Sequence, residues 1–161
     1  MADIKPFKLV KWPDPRLREV ALPLLLETRE HRVAVHKLID RMWITLEQYL
    51  GYGLAAPQIG YEGRIILIRT PSHKFELINP ELETLPRYGK FISDEGCLSY
   101  PGRRVRVSRW RRVKVRGLDR HGDPATFGGK DLQAAAIQHE CEHLDGINLA
   151  DYDVSSEKPR G

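Results

Sequence analysis

Between about residues 29 and 50 the apolar side chains Val35, Leu38, Ile39, Met42, Trp43, Leu46 and Leu50 recur at spacings of three and four. That period predicts an amphipathic helix with one face against a core, and Gly51 stands where a helix is commonly capped. A second helix is expected over about 131 to 144, where Leu132, Ala135, Ala136, His139 and His143 share a face. Asp131 at its start suits the positive end of the helix dipole, and Gly146 can cap its end. Between the helices the pattern shortens. An aliphatic run at 64–69 and a segment at 75–79, closed by Pro80, predict strands. From 104 to 116, Val105, Val107, Val113 and Val115 alternate with basic residues, which predicts two half-buried strands around a turn near Trp110. The glycine- and proline-rich stretches 51–60 and 94–102 fit neither period and are expected to be shaped loops; 118–124 reads as a polar turn, and Gly128-Gly129 as the end of the sheet region. Before the first helix, Pro13 and Pro15 favour an extended arm with a turn. After residue 150 no pattern remains, so a single domain over 1–150 and a short mobile tail over 151–161 are expected.

Composition narrows the class. With 161 residues, 41% hydrophobic and 30% charged, the chain suits one soluble globular domain. No apolar run reaches the roughly 20 residues of a membrane span, and the first residues lack a basic segment leading into an apolar one. A cytoplasmic protein, or an organelle protein already freed of its transit peptide, is expected, with no membrane partner. Eight basic residues lie between Arg103 and Arg116, yet the net charge is only +4 and no aromatic platform accompanies them. They read as the solvated face of a sheet, so no specific nucleic acid is expected. Four histidines, His31, His36, His73 and His121, are expected on wet surfaces.

The chemistry concentrates in His139-Glu140-Cys141-Glu142-His143. Four steps of about 100° overshoot a helical turn by only about 40°, so the two histidines point the same way and can grip one metal ion. Glu140 is then placed to take a proton from a metal-bound water, which is hydrolase chemistry. The same string can also be two solvated histidines, and a catalytic site needs a third protein ligand with one open position. Downstream, the position that would carry a third histidine in metzincin spacing is Leu149. Cys141 lies roughly 200° around the helix from either histidine, so its sulfur points away. Cys97, bracketed by Gly96 and Gly102, is the upstream candidate, because a thiolate is a strong ligand for a divalent transition metal. Against it stands the common fate of a free cysteine as a small buried hydrophobe. Gln58 offers an uncharged amide donor beside glycines that allow close backbone approach, or else its loop is a plain connection. Leu132, Ala135 and Ala136, just before the histidines, leave room for an apolar substrate group, with Tyr52 at its rim.

Three separated motifs, Gly51-x-Gly53-Leu-Ala-Ala-Pro-Gln58, Glu95-Gly-Cys97-Leu98-Ser99 and Gln138-His-Glu-x-x-His143, resemble those of the peptide deformylase family. Pro13-Asp14-Pro15-x-Leu17-Arg18 extends the resemblance over about residues 8 to 147. It implies an α+β fold with antiparallel sheets surrounding a central metal-binding helix. It also implies a hydrolase that removes the N-formyl group from the initiator methionine of nascent polypeptides by attack of a metal-bound hydroxide. In that reading Cys97, His139 and His143 hold one divalent metal ion, Fe(II) by preference with Zn, Ni or Co able to substitute. Glu140 is the general acid-base, Gln58 and the Leu98 backbone N–H bind the formyl oxygen, and Gly53 and Arg104 hold the peptide. The partners it implies are N-formylmethionyl peptides and, transiently, the ribosome. The chain departs from the family in Glu142, where aspartate is usual, in Tyr52, where an aliphatic residue is usual, and in stopping short of a further C-terminal helix. A zinc peptidase acting on unformylated peptides, or a structural module with four protein ligands, would share parts of the constellation.

Overall fold

A computed structural model describes residues 3–156. Helix α1 spans Arg29–Tyr49 and begins where the Thr28 hydroxyl accepts a hydrogen bond from the His31 N–H. Strands β1 (Gly53–Ala55), β2 (Ile65–Arg69) and β3 (Lys74–Thr84) follow, then β4 (Lys90–Cys97), β5 (Tyr100–Trp110), β6 (Arg112–Leu118) and β7 (Pro124–Lys130), and finally helix α2 (Leu132–Leu144). All pairings between these strands are antiparallel. They form a five-stranded sheet of order β1-β2-β3-β6-β7 and a separate hairpin of β4 and β5.

The aliphatic run in β2 is apolar throughout because both of its faces are covered. Side chains alternate across a strand, so Ile65 and Leu67 pack with Val35, Ile39, Met42 and Leu46 of α1, while Ile66 and Ile68 pack with Ala134, Ile137, Cys141 and Leu144 of α2. Full burial of each such side chain contributes roughly 1.5–3 kcal/mol. Helix α2 lies between the five-stranded sheet and the hairpin and has buried residues around most of its circumference, including Gln138, Glu140 and His143. The α+β arrangement with sheets around the metal-motif helix is therefore the fold of this chain.

Several local expectations are corrected. Helix α1 is closed by Leu50 in the left-handed region (φ 55°), not by Gly51. The stretch 51–60 is not a loop throughout. Leu54, Ala55 and Ala56 are completely buried, with β1 pairing to β2 and a 3-10 turn over Ala56–Ile59. Strand β3 continues past Pro80, whose missing donor falls at a register shift between Ile78 and Glu81. The stretch 94–102 is the tip of the β4–β5 hairpin, where Cys97 faces Tyr100. Strands β5 and β6 exist as expected but do not pair with each other; at Arg111 the chain leaves one sheet for the other. Gly128 and Gly129 lie within β7. Of the four outlying histidines, His31 and His121 are exposed while His36 and His73 are half-buried.

The chain beyond residue 150 carries structure as well. Two 3-10 turns, Leu149–Tyr152 and Val154–Ser156, are tied down. Leu149 is buried against Val105 and Val107 of β5, the Asp151 carboxylate accepts from Arg18 and from the Asn148 N–H, and the Asp153 carboxylate accepts from the Tyr100 hydroxyl. The remainder of the expected tail, 157–161, lies outside the described residues.

Candidate metal centre

The two histidines stand one turn apart on α2, with ring centroids 5.1 Å apart. Cys97 arrives from the tip of the hairpin, its Sγ 3.4 Å from His143 Nε2. One ligand atom each from Cys97, His139 and His143 lie within 4.8 Å of one another, the only such group among the described residues. A thiolate with two imidazoles is a donor set suited to Zn, Fe, Co or Ni, and three protein ligands leave a coordination position open. The residues therefore fit a single catalytic metal. Cys141 does not join them. It sits in the core with Ile137 and Leu144, where burial pushes its thiol up to about 12.

Behind the ligands lies a buried ion network. The His139 Nδ1 is 3.0 Å from Glu95 Oε1, and Arg109 donates to both Glu95 oxygens at 2.9 and 2.7 Å. Burial opposes the charge of Glu95, but hydrogen bonds from Arg109 and His139 outweigh it and hold the carboxyl at about 2. The Nη1 of Arg109 then reaches Glu142 Oε1 at 2.7 Å, which also accepts from the Tyr152 hydroxyl at 2.7 Å. A carboxylate on the far nitrogen of a metal-ligating histidine fixes both its tautomer and its ring orientation.

Glu140 faces the opposite situation. It is 5% exposed, and its Oε2 has no hydrogen-bond partner. Burial pushes its carboxyl up to about 7, and the charge of His139 pulls it back only in part. Against it lies Gly53 of β1. A Cβ at that position would come within 2.6, 2.7 and 2.9 Å of Glu140 Cγ, Oε1 and Cδ, so only glycine allows the carboxylate its place.

Gln58 is held by its own backbone neighbourhood, with Oε1 accepting the Ala55 N–H at 2.9 Å. Its Nε2 thereby points to Ser99 Oγ at 3.1 Å and Cys97 Sγ at 3.7 Å. The N-terminal arm braces both sides of this corner, as the Val10 N–H donates to the Gln58 carbonyl and the Trp12 N–H to that of Ser99, each at 2.8 Å.

A cavity of about 460 Å³ opens over these groups. Of the residues singled out from the sequence, Tyr52, Gly53, Gln58, Cys97, Leu98, Arg104, Leu132, Ala135, Ala136, His139 and Glu140 all line it, while His143 lies behind, 1% exposed. Tyr52 and Leu132 are exposed at the rim. Arg104 spans the hairpin at the mouth and donates to the Asp94 carbonyl at 2.8 Å. Glu95 and Ser99 stand in the motif around Cys97 without a role read from sequence, and Arg109 was counted with the basic sheet face. For Glu95 a signal exists, since on a strand it would share a face with Cys97 two residues on.

The polypeptide deformylase family model matches residues 6–159. The chain is 42% identical over 145 residues to a peptide deformylase of Heliobacterium modesticaldum, covering 90% of this chain and 92% of that one. It superposes on the crystal structure of a Legionella pneumophila peptide deformylase with a TM-score of 0.83 at 34% identity, over 92% of this chain and 86% of that one. The Thermotoga maritima peptide deformylase gives 0.84 at 32% identity, over 92% and 97%.

Proposed function

The chain belongs to the polypeptide deformylase family, as a metal-dependent amide hydrolase that removes the N-formyl group from nascent polypeptides, and from that premise we propose the roles of its residues. Cys97, His139 and His143 hold the metal, which when bound supplies a Lewis acid that brings water within reach of ionisation near neutral pH. Glu140 takes the proton from the attacking water and returns it to the departing amine. The observation that carries this assignment is the Glu140 carboxyl itself, next in the chain to the ligand His139, lining the cavity, buried, with one oxygen unpartnered and its pKa pushed up by that burial, as suits a group that both accepts and gives a proton.

Gln58 Nε2 and the Leu98 N–H donate to the formyl oxygen as negative charge builds on it. Each such donor is typically worth on the order of 100 to 1,000-fold in rate. Gly53 and Arg104 hold the peptide backbone, and Leu132, Ala135, Ala136 and Tyr52 bound the methionine side chain. The catalytic unit expected over 1–150 extends through the 3-10 turn ending at Tyr152, which is tied to the hairpin and to Glu142. Fe(II) is the working ion, a reading supported by the family resemblance, with Zn, Ni or Co accepted by the same donors. Its substrates are formylated peptides met on or near the ribosome in the cytoplasm; no helix among the described residues is long and apolar enough to cross a membrane.

Formate release from formyl-Met-Ala by anaerobically prepared, Fe(II)-loaded protein tests the reading. Glu140→Gln should lose roughly 100 to 10,000-fold while keeping about one ion per chain. Substantial residual activity in that variant, or loss of the metal with the activity, refutes the role given to Glu140.

A further inference from the structure

We propose that Tyr152 is a positioning residue for the metal centre, its hydroxyl closing a relay that runs through Glu142, Arg109 and Glu95 to His139. The inference rests on the reading that Cys97, His139 and His143 hold the metal.

Every link in the relay is a charge-assisted hydrogen bond of normal length: Tyr152 to Glu142 at 2.7 Å, Arg109 to Glu142 at 2.7 Å, Arg109 to Glu95 at 2.7 and 2.9 Å, and Glu95 to His139 at 3.0 Å. Arg109 is the junction. Its side chain is 2% exposed, and its planar fork spends Nε and Nη2 on Glu95 and Nη1 on Glu142, so the guanidinium cannot turn without moving one carboxylate or the other. Glu142 has less support. Its side chain is 23% exposed, and Arg109 and Tyr152 both donate to the same oxygen, so the phenol is a second tether on the carboxylate that the arginine holds.

Tyr152 is itself well placed to act as an anchor. It ends the 3-10 turn that buries Leu149 against the hairpin, and it is flanked by Asp151, bound to Arg18, and Asp153, bound to Tyr100. The Arg109 guanidinium also lies over its ring, 5.4 Å from the centroid. The 3-10 turn after α2 is therefore mechanically continuous with the orientation of a metal ligand carried on α2.

Tyr152→Phe keeps the ring and removes only the hydroxyl. In the full chain loaded with Zn(II), transfer of the ion to excess chelator should be about fivefold faster than in the unaltered protein. That is a fraction of the roughly 10 to 100-fold expected when a direct outer-shell partner is lost, for which Glu95→Gln serves as the reference. The visible bands of the Co(II)-loaded variant should shift with the reoriented imidazole. In a Glu142→Ala background, which removes the shared acceptor, the Tyr152→Phe change should add almost nothing, because the relay is already cut. Unaltered Zn(II) release and Co(II) bands would overturn the proposal, even with a lowered melting temperature of the metal-free chain, since Tyr152 would then be only an anchor of its turn. An undiminished effect in the Glu142→Ala background would overturn it too. Faster Zn(II) release in a chain that frees no formate would leave the relay standing and remove the assignment of the reaction instead.

Discussion

Replacing Gly53 by alanine isolates the position of the Glu140 carboxylate from everything else at the metal centre. Gly53 has a strand backbone paired with Ile68 and no positive φ, so a methyl group there adds contact and not backbone strain. The added carbon would stand 2.6 Å from Glu140 Cγ, whereas non-bonded carbons settle near about 3.5 Å, so the side chain must retreat by about 0.9 Å. Glu140 is buried in a helix that cannot follow, so the shift falls on its torsions and hence on the carboxylate. A misplacement of about 1 Å at the reacting groups costs on the order of 100-fold. Gly53→Ala should therefore lower kcat for formyl-Met-Ala by roughly that factor. Metal content should stay at one ion per chain, since Cys97, His139 and His143 are untouched. Because Gly53 is also assigned to peptide binding, the split matters: a rise in KM with kcat within about threefold of the unaltered enzyme would mean that the methyl obstructs peptide alone and that the Glu140 geometry is not what Gly53 protects.

Cys97→Ala should lose the metal by elemental analysis while Cys141→Ala retains it, and retention by Cys97→Ala would reverse the ligand assignment. With its thiol held at about 12, Cys141 is thiolate in only about one part in 10,000 at pH 8, so iodoacetamide should leave it unmodified in the folded protein. Glu95, lowered from 4.5 to about 2, contributes stability that is fully present above pH 4.5 and is lost as pH falls from there toward 2, by roughly 3 kcal/mol at most. The acid limb of unfolding in the metal-free chain should be correspondingly shallower in Glu95→Gln, and an identical pH slope in the two proteins would contradict the depressed value.

The ligands were legible because their chemistry is written locally. A histidine pair at helical spacing declares its own geometry, and the same geometry turns Cys141 away and leaves Cys97. The strand that carries Cys97 was not legible, since the buried positions of β4 include Ser93 and Glu95, and an inward face that is polar produces no apolar alternation. β1 escaped notice through its length of three residues, and β7 because Ala125, Phe127 and Gly129 give its inner face little apolar contrast. Val105 to Val115 kept one period across two different sheets, so nothing along the chain marked the change of partner at Arg111. Arg109 shows a signal that was passed over: counted among eight basic residues it looks like part of a wet face, yet its position is in phase with Val105 and Val107 and so on the inward side of β5, where it meets Glu95 and Glu142.

Cys97 and His143 lie 46 residues apart and on different bodies of the fold, one at the tip of the hairpin and the other on the helix seated against the five-stranded sheet. An ion gripped by both is a cross-link between those bodies, absent from the unfolded chain, whose free energy of binding is also free energy of folding. At a thousandfold excess over its dissociation constant it adds about 4 kcal/mol, a large share of what a domain of this size commonly has. Metal supply thus governs lifetime as well as turnover, since a molecule starved of its ion is at once idle and a readier substrate for proteases.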